Sequence, residues 1–208
     1  MSTIHESRLK APQASHESDN STRTGGFMEG RSVKKQSFAA STLFTVSFAV
    51  YGVLLVMMTL LKNKLSIGGL WSTEAHQYRS IDLVLFDGFI NPPIWWGPWT
   101  NTFGNIALFV PFGFFLYRVL HSHHRSRFTF LETVLFTGVT SLGIEVLQWV
   151  FAVGYSDVDD LLFNTIGGLI GAVIAASVAA RTRKVLSGFV LVASLIVMGI
   201  MVYSSVMG

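Results

Sequence analysis

Cysteine is absent from the 208 residues, and charge is scarce, with Asp, Glu, Lys and Arg together making up 13%. Without a thiol there is no disulfide, no thiolate zinc site and no cysteine nucleophile. Soluble domains carry about 25% charged residues, so this chain has roughly half the usual charge, which argues against an ordinary soluble enzyme. The shortage is also uneven. No Asp, Glu, Lys or Arg occurs from Phe38 to Leu61, from Phe89 to Tyr117, from Leu161 to Ala180 or from Val185 to Gly208. A helix crossing a bilayer needs about 20 apolar residues, and each window is long enough. With 50% apolar residues and a mean hydropathy of +0.51, the chain reads as an all-α, polytopic membrane helix bundle rather than a disordered protein.

Five spans are predicted, at about 38–61, 102–120, 128–150, 161–180 and 185–207. The first has 24 uncharged residues after a long polar stretch. That is far longer than the 7–15-residue core of a signal peptide, so it is expected to stay as an anchor. Residues 1–37 hold too little apolar material for a core and are expected to form a disordered cytoplasmic tail before a membrane domain at 38–208. The one long connection, 62–101, contains Trp71, Trp95, Trp96, Trp99 and the turn-forming Asn91-Pro92-Pro93. Such tryptophans favour the headgroup region, and the loop is too short for a separate catalytic domain.

The formal charge of +3 and sequence pI of about 9.3 do not point to nucleic acid, because the basic residues flank apolar segments. Twelve Lys or Arg fall in the tail and in the links after spans two and four, against three (Lys62, Lys64, Arg79) on the other side. Positive-inside bias therefore predicts a cytoplasmic N-terminus and an outside C-terminus. His121, His123 and His124 sit in a basic link without carboxylates and read as a solvated positive loop, so no metal site is assigned.

Ionisable residues within spans cost at least a few kcal/mol on insertion scales. Ser141, Glu145 and Gln148 stand at i, i+4 and i+7 on one face of span three. Asp157, Asp160 and Asn164 stand at i, i+3 and i+7 if the next helix begins near Ser156, where Ser156 or Asp157 would serve as the N-cap. Asn105 lies near the same end of span two. Capping and loop solvation alone would account for Asp157, Asp159 and Asp160. They do not account for Glu145, Gln148 and Asn164 at similar depth, so the candidate polar site comprises Asn105, Glu145, Gln148, Asp157, Asp160 and Asn164. Pro111 is expected to kink span two. Gly167, Gly171, Ala175 and Ala179 recur every four residues as a helix-packing stripe.

Three blocks carry a family resemblance: Asn105-Ile-Ala-Leu-Phe-Val-Pro111-Phe-Gly113, Ser141-Leu-Gly-Ile-Glu145-Val-Leu-Gln148, and Asp157-Val-Asp-Asp160-Leu-Leu-Phe-Asn164-Thr-Ile-Gly167-Gly168-Leu-Ile-Gly171. In this order, over about 67 residues, they resemble the VanZ-like family. Tyr155 stands where an Arg is common in that family, and the Ser-rich tail lies outside the pattern. The resemblance implies a multi-pass protein of a bacterial plasma membrane, in a family whose named member gives low-level teicoplanin resistance without changing the usual peptidoglycan target.

Three functions fit this reading. The first is a non-enzymatic envelope protein that needs no cofactor and binds a membrane lipid, a lipid-linked cell-wall component or another partner at an outward-facing polar cluster. The second is an intramembrane enzyme acting on a lipid-linked substrate, with Glu145 as acid or base and Asp157 and Asp160 holding Mg²⁺ or Ca²⁺. A scaffold whose polar groups only lock helices together is the third. No nucleophile elbow, phosphate-binding glycine loop or histidine zinc set supports catalysis, and no motif fixes an oligomeric state.

Overall fold

Long uncharged helices satisfy every backbone group within one segment in lipid, and such helices dominate the computed structural model. It describes residues 41–60, 81–90, 92, 94–123, 126–151 and 156–207. Five helices are long and apolar enough to cross a membrane: α1 (Ser41–Leu60), α2 (Gly97–His123), α3 (Thr129–Phe151), α4 (Val158–Ser177) and α5 (Ala180–Met207). The expected tail, 1–37, lies outside the described residues.

The helix ends differ from the expected ones for local reasons. α2 begins at Gly97, inside the expected loop, because Pro98 in a first turn forfeits only a hydrogen bond that has no intrahelical partner anyway. α4 starts three residues early, at Val158, because Asp157 is extended and its side chain accepts from the Asp159 N–H. α5 begins at Ala180 and takes in Arg181, Arg183 and Lys184, whose long apolar stems suit a helix at the membrane edge. Arg183 reaches back to donate to the Val178 carbonyl at 2.7 Å, just past the end of α4.

Glycine sets the centre of the bundle. α2 and α4 make the most extensive helix contact among the described elements. A methyl group added at Gly113 would strike the Gly168 backbone, and one at Gly171 would strike the Val110 carbonyl and the Phe114 N–H. At Gly167 the obstacle would be the Ile106 carbonyl, and at Gly168 the Thr137 side chain of α3. The two helices run parallel with their backbones almost touching, as small residues allow in lipid. Of the four-residue stripe, Gly167, Gly171 and Ala175 are buried, whereas Ala179 is exposed beyond the helix end.

α1 packs on α2 through rings, Phe44 and Phe48 lying 5.1 and 5.3 Å from Phe115. Pro111 sits inside a helix that continues unbroken to His123. It has no N–H to return to the Ala107 carbonyl, and beside that position Tyr51 of α1 donates its hydroxyl to the Leu108 carbonyl. α5 meets the rest along a narrow seam, buried at Ser187, Ser194 and Met201, and exposes most of its remaining apolar surface.

One short ladder departs from the all-helical pattern. β1 (Ile81–Asp82) pairs in parallel with β2 (Ser156–Asp157), in register Ile81 with Ser156 and Asp82 with Asp157. It joins part of the long α1–α2 connection to the entrance of α4.

Candidate functional site

The entrance of α4 carries three acids in four residues, and each is engaged differently. Asp157 is the N-cap, its Oδ1 accepting from the Asp159 N–H at 2.8 Å. Asp159, 5% exposed, accepts the Phe86 N–H with both carboxylate oxygens, at 3.0 and 2.9 Å. Phe86 needs that hold, because its φ of 64° is left-handed, a conformation that costs a side-chain-bearing residue about 1–2 kcal/mol. Its ring also packs 6.3 Å from Phe163 of α4. Asp160 turns towards α2, where Asn101 donates to its Oδ1 at 2.7 Å and Asn105 donates to the same oxygen.

From α3, Glu145 reaches the same entrance. Its Oε2 accepts the Asp157 N–H at 3.0 Å, while its backbone carbonyl accepts the Ser156 hydroxyl at 2.8 Å. Asn164 lies deeper and donates to Ser141 Oγ at 2.9 Å. Gln148 turns to α1, donating to the Thr59 carbonyl at 3.2 Å. The six predicted residues therefore divide: Glu145 meets the Asp157 backbone, Asn105 meets Asp160, Asn164 meets Ser141, and Gln148 meets Thr59. The polar face of α3 is also longer than predicted. Thr129, Thr133, Thr137, Ser141, Glu145 and Gln148 are all buried, a stripe about 28 Å long at 1.5 Å per residue. The two inner threonine hydroxyls donate to carbonyls four residues back, so they enter the core without leaving a donor unpaired.

Between α3, the β1 segment and the start of α4 lies an open cleft of about 380 Å³, within the usual range for small-molecule sites. Leu142, Val146 and Trp149 of α3, Leu83 beyond β1, and Val158 and Leu161 of α4 form apolar walls, and Asp82, Glu145, Ser156 and Asp157 border a cleft whose open surface is almost wholly apolar. Leu142 and Val146 are each 52% exposed, so the walls merge with the outer apolar surface of the bundle. Of the six predicted residues, Glu145 and Asp157 line this cleft. Asp82, Leu83 and Trp149 were not predicted. Among the described residues no group of three or more His, Asp or Glu is placed to hold a metal ion.

The Asp157 carboxyl is pushed up to about 6. Burial is the main cause, opposed by the hydrogen bond from the Asp159 N–H and reinforced by the charges of Asp160, Asp159 and Asp82. The cleft therefore has a carboxyl group that titrates within the physiological range.

Five helices long and apolar enough to cross a membrane, with a largely apolar cleft open at one end of the bundle, define a polytopic membrane protein. Comparison with known proteins places it more closely. The family model described as VanZ/LLP1 matches residues 48–180, and the chain belongs to this VanZ-like family. It is 29% identical over 123 residues to Protein VanZ of Enterococcus faecium, an alignment covering 59% of this chain and 67% of that protein. No solved structure matches the chain.

Proposed function

We infer that this protein is a non-enzymatic component of the bacterial plasma membrane that binds an amphiphile in the cleft beside Glu145 and Asp157. The observation that carries this reading is the cleft itself. Its apolar walls are continuous with surface that lipid would cover, while its carboxylates lie where α4 begins. An amphiphile has the same division, with a chain that belongs against Leu142 and Val146 and a head group that needs polar partners. The distribution of basic residues favours an N-terminus in the cytoplasm, with this cleft at the outer face of the membrane. That face is where an envelope lipid, a lipid-linked cell-wall component or a lipid-bearing glycopeptide would be met, so glycopeptide tolerance is the cellular phenotype to score.

Native mass spectrometry of gently extracted protein tests the reading, with Glu145→Gln as the variant. Glutamine keeps the side chain's volume and an oxygen to accept from the Asp157 N–H. The parent should retain an amphiphile that the equally folded variant holds less well. A parent carrying no amphiphile, or a variant carrying it equally, would remove the site as proposed.

A further inference from the structure

The connection that leads into α2 is poor in charge, with Asp87 the one Asp, Glu, Lys or Arg from Leu83 to Tyr117. Its apolar side chains are not folded away. Leu83, Val84, Leu85, Ile90, Ile94 and Trp95 are 49 to 78% exposed, although the backbone that bears them is held. Asp159 of α4 accepts the Phe86 N–H, and the β1–β2 ladder fixes the residues just before Leu83. Aromatic contacts then run from Phe163 of α4 through Phe86 and Phe89 to Trp99 and Phe103 of α2, with ring centroids 5.2 to 6.4 Å apart. Segments 83–90 and 94–99 therefore form a ledge tied to two helices, with much of its apolar surface turned outward.

Two helices measure the depth of this ledge in a bilayer. Along α2, Trp99 lies 19 residues before Arg118, the first charge of that helix, which is about 28 Å at 1.5 Å per residue. A hydrocarbon core is about 30 Å thick, so with Arg118 at one boundary Trp99 stands at the other. Along α4, the uncharged run 161–180 starts directly after Asp160, so the Asp159 that holds Phe86 stands at that same boundary. Farther out, the ledge would leave a large apolar surface in water, which proteins rarely do. Farther in, its irregular backbone would lack hydrogen-bond partners. The boundary meets both demands, and tryptophan is enriched there. Exposed Phe103, stacked on Trp99, continues the ledge onto the outer surface of α2 that lipid covers. We propose that 83–90 and 94–99 are a lipid-docking ledge, lying where head groups meet acyl chains, with Leu83, Ile90 and Trp95 in contact with lipid. Leu83 also borders the cleft, so this part of the cleft rim opens onto lipid.

Because the chain has no cysteine, one introduced thiol can carry a nitroxide at a chosen position. Leu83→Cys, Ile90→Cys and Trp95→Cys are labelled in the full-length protein in phosphatidylcholine vesicles, with Trp96→Cys replacing any variant that does not accumulate. Val192→Cys, on the exposed apolar surface of α5, supplies the value inside the hydrocarbon, and free label in buffer supplies the value for water. Power saturation compares access by oxygen, which concentrates in lipid, with access by a water-soluble nickel chelate. At all three ledge positions the oxygen-to-nickel ratio should be at least fivefold above that of free label and below that at Val192. The proposal stands if two or more positions show the raised ratio with ready oxygen access, and it falls on any lesser result. Ratios like that of free label would put the ledge in water. Poor access by both reagents would mean that a protein surface, such as a second copy of this chain, covers it instead.

Discussion

Replacing Gly113 with alanine sets two energies of opposite sign against each other. In an isolated helix the change is favourable by about 1 kcal/mol, because glycine loses more backbone entropy on folding. Here the new methyl would strike the backbone of Gly168, which cannot rotate away as a side chain can. Overpacking of this kind costs about 1–3 kcal/mol, and a backbone obstacle belongs at the upper end. The net expectation is a loss of about 2 kcal/mol, or about 4–8 °C in Tm for a chain of this size. Gly143 and Gly199 provide the control, since a methyl group at either would meet nothing within 4 Å. Gly143→Ala and Gly199→Ala should therefore hold or raise Tm by a few degrees. Gly168→Ala should lie nearer the parent than Gly113→Ala, because its obstacle is the Thr137 side chain. Thermal unfolding of the purified variants in one detergent, followed by circular dichroism at 222 nm, gives the comparison. If Gly113→Ala melts with or above Gly143→Ala, the close α2–α4 approach does not hold the bundle together.

Asp157→Asn should change stability with pH in a definite direction. A carboxyl group raised from its ordinary value to about 6 favours the folded state below the ordinary aspartate range and loses that contribution as pH rises through 6. The variant should thus melt close to the parent at pH 4.5 and above it at pH 8, by a degree or two given the group's partial exposure; a variant less stable at pH 8 would refute this. Asp159→Ala should speed exchange of the Phe86 amide by at least tenfold in hydrogen–deuterium measurements, because both carboxylate oxygens hold that N–H. Phe86→Gly should stabilise the same turn, and unchanged exchange in Asp159→Ala would show that the loop is held by something else. Reporter fusions after Gly208 and within 121–127 should give signals on opposite sides of the membrane, and the same side for both would overturn the proposed orientation.

The spans could be read from the sequence because burial in lipid depends on the absence of charge over about 20 residues, which is a local property. The packing glycines at 167 and 171 were legible for a similar reason, since one helix shows its own small-residue face. The Thr129, Thr133 and Thr137 extension of the α3 stripe follows the same four-residue spacing and was available, but threonine attracts no notice where Glu145 does. Asp159 was harder. Helical spacing sets it apart from the Asp157, Asp160, Asn164 face, and its buried partner is an amide 73 residues earlier in the chain. Asp82 and Leu83 were invisible in the same way. They join the cleft through a two-residue ladder between segments about 75 residues apart, and no periodicity in a loop announces such a pairing.

Glu145 enters the membrane before the residue that holds it. The amide of Asp157, twelve positions later, donates to it, and an ionisable side chain in a span is costly by at least a few kcal/mol. A chain halted after Phe151 would leave Glu145 without the Asp157 donor and Ser141 without Asn164. Three contacts of this face, Glu145 with Asp157, Ser141 with Asn164 and Thr137 with Gly168, lie between α3 and the segment that follows it. Biogenesis is expected to follow the same contacts as architecture, with α3 and α4 entering the bilayer as a hairpin and α4 closing against α2.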